Sequence, residues 1–95
     1  MEIICRIKEE QPLTEREYTN RNGMPEKFAS KGFILQSGPE TIFCEMVQDQ
    51  ARSCGTLDKN YYYKAQLQIT ARDWEDNNHQ KRWENRIVLK SLAVL

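Results

Sequence analysis

From Tyr63 onward the chain alternates with a strict period of two. Tyr63, Ala65, Leu67, Ile69 and Ala71 fall on one side, and Lys64, Gln66, Gln68, Thr70 and Arg72 on the other. A helix cannot use that pattern, because its faces repeat every 3.6 residues; a strand with one buried and one wet face requires it. The alternation runs into the polar stretch Trp74 to Trp83 and is followed by a second extended segment, Arg82 to Leu95. The last third of the chain is thus predicted to be a long β-hairpin, with strands over Tyr61–Asp73 and Arg82–Leu95.

The rest of the chain obeys the same period. Ile3, Cys5 and Ile7 oppose Arg6 and Lys8 in a first strand over Glu2–Glu9, which Gln11-Pro12 ends because proline donates no ladder hydrogen bond. A polar stretch from Leu13 to Glu26, holding Asn20, Asn22, Gly23 and Pro25, is predicted to be a long loop. A second strand over Lys27–Gln36 contains Gly32, the expected place for a bulge or bend. Ser37-Gly38-Pro39-Glu40 turns the chain into a third strand, Thr41–Gln48, with Ile42, Cys44 and Met46 against Phe43, Glu45 and Val47. A short helix over Gln50–Cys54 is expected to start at an Asp49 cap and stop at Gly55, leaving Leu57 to plug one end of the core.

At 95 residues the chain forms one domain, residues 1–95. The order is all-β: strand, long loop, strand, turn, strand, short helix, strand, long hairpin, strand. Five strands with one helix between the third and fourth is the order of the OB-fold, a five-stranded Greek-key barrel. Its ligands lie across strands two and three, between the loop after strand one and the loop joining strands four and five. Those are the two long polar segments of this chain.

Charge and cysteine content narrow the chemistry. Fourteen cations balance fourteen anions, which argues against a strongly basic nucleic-acid binder. Their distribution is uneven. Residues 61–95 carry six cations against four anions, whereas residues 36–60 carry two against four. Three cysteines do not make a disulfide framework, and Cys5 and Cys44 sit at apolar strand positions as small buried thiols. Lone His79 with scattered thiols offers no zinc spacing, so no metal or other cofactor is expected. The apolar run Ile87–Leu95 is too short to span a bilayer, and no leader pattern opens the chain, which points to a cytoplasmic protein. Asp73, Glu75 and Asp76 near His79 sit on a polar hairpin tip that offers no burial to tune a pKa; with no phosphate loop or nucleophile motif, no enzyme and no catalytic residue is expected.

Met1-Glu2-Ile3, Arg21-Asn22-Gly23, Ile42-Phe43-Cys44-Glu45-Met46 and Arg82-Trp83 together give the chain a family likeness. It resembles the small single-domain OB-fold proteins akin to bacterial single-stranded-DNA-binding proteins, and within them a short group of about 90 to 100 residues. The acidic C-terminal tail of the larger members is absent, since this chain ends Ser91-Leu92-Ala93-Val94-Leu95.

The resemblance implies binding of single-stranded DNA or RNA with low sequence specificity, as a homo-oligomer (dimer or tetramer). Bases would stack on Trp74, Trp83, Phe33, Phe43 and Tyr62, while Lys27, Lys31, Arg72, Lys81, Arg82, Arg86, Arg16 and Arg21 would follow the backbone. Two other readings stand beside this. The tryptophans can instead pair across the hairpin and clamp it, with Phe33 in the core. The whole barrel can also serve as a protein–protein assembly module, since fold alone does not give function.

Overall fold

A computed structural model describes every residue from Met1 to Leu95. The chain is all-β apart from one short helix. Its elements are β1 (Glu2–Glu10), β2 (Thr14–Thr19), β3 (Pro25–Ser37), β4 (Glu40–Val47), α1 (Gln48–Ser53), β5 (Tyr63–Glu75) and β6 (Lys81–Val94). No helix is long and apolar enough to cross a membrane.

The strands form one sheet in the order β1-β5-β6-β4-β3-β2, and β1 pairs with β3 as well. Five of the strands are therefore linked in a ring of hydrogen bonds, with β2 outside it. All pairings are antiparallel except β4 with β6. The ring encloses twelve buried apolar residues, among them Cys5, Phe33, Leu35, Cys44 and Leu89; Leu57 packs against them from one side as expected. Burial raises the thiol pKa of both Cys5 and Cys44, that of Cys44 to about 12, so neither carries thiolate character at neutral pH.

Four details differ from the sequence expectation. The stretch predicted to be a loop is a hairpin: β2 pairs with β3 from Thr14↔Ser30 to Thr19↔Pro25. Its turn is held by Asn20, whose side-chain oxygen accepts from the amides of Asn22 and Met24, with Gly23 at φ 75°. The helix begins one residue before Asp49 and has no side-chain cap; it ends at Cys54 in extended backbone, without a left-handed glycine. No bulge falls at Gly32, around which β3 exchanges β2 for β1 as its neighbour; the register slip is on β1, between Ile7↔Leu35 and Glu9↔Ile34. Gly32 instead leaves room for Gln11: a Cβ there would stand 2.3 Å from Gln11 Oε1, the end of a flexible side chain, and the Gln11 amide donates to the Gly32 carbonyl at 2.9 Å.

The β1 bulge has a consequence for packing. An extra residue shifts every later side chain to the other face. Glu10, opposite Phe33, is thereby turned inward rather than out. There it meets Lys31, which lies in phase with buried Ala29, Phe33 and Leu35. Lys31 Nζ stands 3.3 Å from Glu10 Oε1, with both side chains only about a tenth exposed. Glu10 Oε1 also accepts the Leu57 amide, and Lys31 Nζ lies over the Phe33 ring. A second bulge, on β6 at Lys90, lets Leu89 and Leu92 both turn toward the core although they are three apart.

Beyond Leu67 on β5 and Ile87 on β6 the hairpin leaves the ring. Residues Gln68 to Glu75 are exposed on both faces of the strand, as are Lys81 to Arg86. The molecule accordingly measures 43 × 31 × 19 Å, with a radius of gyration of 15.5 Å against about 12 Å for a compact chain of this length.

Candidate nucleic-acid interface

The outer face of the sheet is set by register. Arg16 lies opposite Phe28, Phe43 opposite Ile34, Arg86 opposite Thr70 and Glu84 opposite Arg72. Directly paired residues share a face. Curvature of the sheet brings these rungs around one cleft of about 850 Å³, lined by Arg16, Phe28, Phe43, Glu45, Thr70, Arg72 and, from β6, Glu84 to Ile87. Phe43 is half exposed, and the Arg86 guanidinium lies 5.6 Å from the centre of the Phe28 ring.

Ion pairing separates the cleft's three arginines. Arg72 Nη2 stands 2.8 Å from Glu84 Oε1 across the strands. Arg16 and Arg86 form no ion pair, so both present unneutralised guanidinium groups beside Phe28. Such an arrangement offers a phosphate two free guanidinium donors and a flat ring along one cleft.

Four of the residues expected to contact nucleic acid thus meet in the cleft: Arg16, Phe43, Arg72 and Arg86. Four more lie further along the ribbon, divided by its two faces. Trp74 pairs with Arg82, placing both on the face shared with the cleft, whereas Trp83 pairs with Asp73 and shares the reverse face with Lys81. The tryptophans therefore point to opposite sides, and the clamp reading fails on register alone. Both rings are open to water, Trp74 at 46% and Trp83 at 64% exposure, and Lys81 Nζ lies 5.0 Å from the Trp83 ring.

The remaining five are elsewhere. Phe33 is fully buried and Lys31 nearly so, which removes both from any ligand surface. Arg21 is exposed at the β2–β3 turn, Lys27 lines a shallow depression with Gln48, Asp49 and Arg52, and Tyr62 lies under Arg6. Phe28 joins the site without having been singled out from the sequence. Its signal was the even phase of β3, which it shares with Ile34 opposite Phe43.

The ribbon's tip is organised by one carboxylate. Asp76 Oδ1 accepts the amides of Asn78 at 2.9 Å and Gln80 at 3.0 Å, and Oδ2 accepts Arg82 Nε at 2.9 Å. The Gln80 amide first, then Arg82, hold the Asp76 carboxyl below its ordinary range. A carboxylate whose pKa is depressed by folding supports that structure above the ordinary value and loses it as pH falls through the folded pKa. Protection of the Asn78 and Gln80 amides from hydrogen exchange is expected to be present at neutral pH, to vanish on acidification, and to be absent at every pH in Asp76→Ala.

No protein-family model matches the chain, and no curated protein matches it.

Proposed function

We propose that the ring of strands is an OB-type barrel and that the chain binds single-stranded nucleic acid across the β3–β4 face. The cycle β1-β3-β4-β6-β5, with one helix between β4 and β5, supports the barrel reading. In that frame the β2–β3 hairpin and the β5–β6 ribbon take the places of the two ligand-flanking loops. The observation that carries the functional reading is the convergence of Arg16 and Arg86, neither ion-paired, on Phe28 beside exposed Phe43. Phosphate would sit between the guanidinium groups, and bases would stack on Phe43 and, further out on the same face, on Trp74. The sequence-independent nature of those contacts fits low specificity.

Anisotropy of a labelled oligothymidylate of about twelve residues, with tryptophan fluorescence recorded in parallel, tests this. Binding is expected at low salt, with a log–log salt slope near −1.4 for two neutralised phosphates. Arg16→Ala and Arg86→Ala are each expected to weaken it by roughly tenfold, the loss of one hydrogen bond to a charged group. A protein that leaves every single-stranded probe free at low salt refutes the proposal and favours an assembly module.

A further inference from the structure

The cleft contains a third guanidinium, and Glu84 occupies it. Arg72 and Glu84 are directly opposed on β5 and β6, bonded at 2.8 Å, and both side chains remain more than half exposed. Nothing buries this pair, so an incoming oxyanion can reach Arg72 without disturbing the core. The other ribbon cations repeat the theme: Lys81 is paired with Asp73 and Arg82 with Asp76. Arg86 alone among them lacks a carboxylate partner, its guanidinium lying over Phe28 instead.

Building on the nucleic-acid reading, we infer that Glu84 sets the affinity of the cleft by masking Arg72 as a latent phosphate ligand. In the wild-type chain a phosphate drawn to Arg72 leaves the Glu84 carboxylate unpaired beside a polyanion. The pair thus brings no net charge to the ligand, and only Arg16 and Arg86 contribute to the salt dependence. Removing the carboxylate charge raises the charge of the cleft by one, leaving three guanidinium groups against Glu45 alone.

The test compares two charge removals on neighbouring rungs of the ribbon. Glu84→Gln frees Arg72 on the cleft face, whereas Asp73→Asn removes the carboxylate bonded to Lys81 on the reverse face, where Glu75 still lies opposite it. With the same oligothymidylate, Glu84→Gln is expected to bind about fivefold more tightly and to steepen the salt slope by about 0.7, one further phosphate. Asp73→Asn is expected to change affinity less than about twofold, the scale of a generic charge effect at an exposed pair. Arg72→Ala leaves Glu84 unpaired beside the ligand and should weaken binding in the wild-type background, whereas in the Glu84→Gln background it should return the affinity to that of the wild type. Equal gains from Glu84→Gln and Asp73→Asn, or a Glu84→Gln gain that survives Arg72→Ala, overturn the inference while leaving the proposed function intact. Failure of the wild-type chain to bind overturns the function itself and this inference with it.

Discussion

Replacing Phe33 by alanine is expected to lower the unfolding free energy by about 3–5 kcal/mol, the cost of emptying a filled aromatic site. Phe33 has no exposed surface and belongs to a core of only twelve buried apolar residues, so few neighbours can collapse into the space. A domain of this size has roughly 5–14 kcal/mol in total, and the variant will be marginal at body temperature. Phe43, also an aromatic strand residue but half exposed on the cleft face, should behave in the opposite way. Phe43→Ala is expected to change stability by less than about 1 kcal/mol and to weaken oligonucleotide binding. Urea unfolding followed by circular dichroism, set beside the anisotropy titration, separates the two. Equal destabilisation by both substitutions would place Phe43 in the core and remove it from the cleft.

The second large effect concerns the inward ion pair. Lys31→Ala leaves Glu10 inside with the Leu57 amide as its remaining partner, and breaking one side of a pair this enclosed typically costs 3–5 kcal/mol. The double variant Glu10→Leu, Lys31→Met replaces both charges with apolar groups of similar length and should recover most of that loss. Denaturation midpoints of wild type, Lys31→Ala and the double variant decide the matter. If Lys31→Ala and the double variant are equally unstable, the charge on Glu10 is not what matters. The pair ties β1 to β3 and to the segment leading into β5, so its loss is also expected to loosen the covering of the core by Leu57.

How far the fold and the site could be read in advance follows from which residues are buried. Strands with one face in the core announce themselves: Ile42, Cys44 and Met46 alternate with Phe43, Glu45 and Val47, and β4 runs where that pattern lies. β2 has no such face. Thr14 to Thr19 are exposed throughout, so no apolar phase marks them, and only the Asn-Gly turn and the β-favouring threonines and tyrosine hinted at a hairpin. The same blindness applies to β5 beyond Leu67, where Ile69 and Ala71 continue the alternation although the core has ended and Ile69 is half exposed.

Site residues were legible in proportion to how firmly their phase was known. Phe33 and Lys31 share the inward phase of Ala29 and Leu35, and counting along β3 predicts burial for both; residue type had suggested a surface role instead. Glu10 could not be placed by counting, because the β1 bulge changes its phase and only paired backbone reveals a bulge. The cleft itself depends on sheet curvature, which carries Arg86 of β6 over Phe28 of β3 from nearly sixty residues away. No local pattern encodes that approach.

The free margin of β2 bears on how copies of this chain meet. Its outward amides and carbonyls lack a neighbouring strand, since β2 pairs with β3 alone. Two identical margins that join antiparallel about a dyad keep their faces aligned, so the dyad must pass through a residue. Centred on Glu15 or Glu17, it sets two carboxylates against each other; centred on Arg16, it opposes two guanidinium groups and also sets each Glu15 against a Glu17. All three of these central registers are repulsive, so the charge order of β2 works against fibrillar stacking through the middle of the strand.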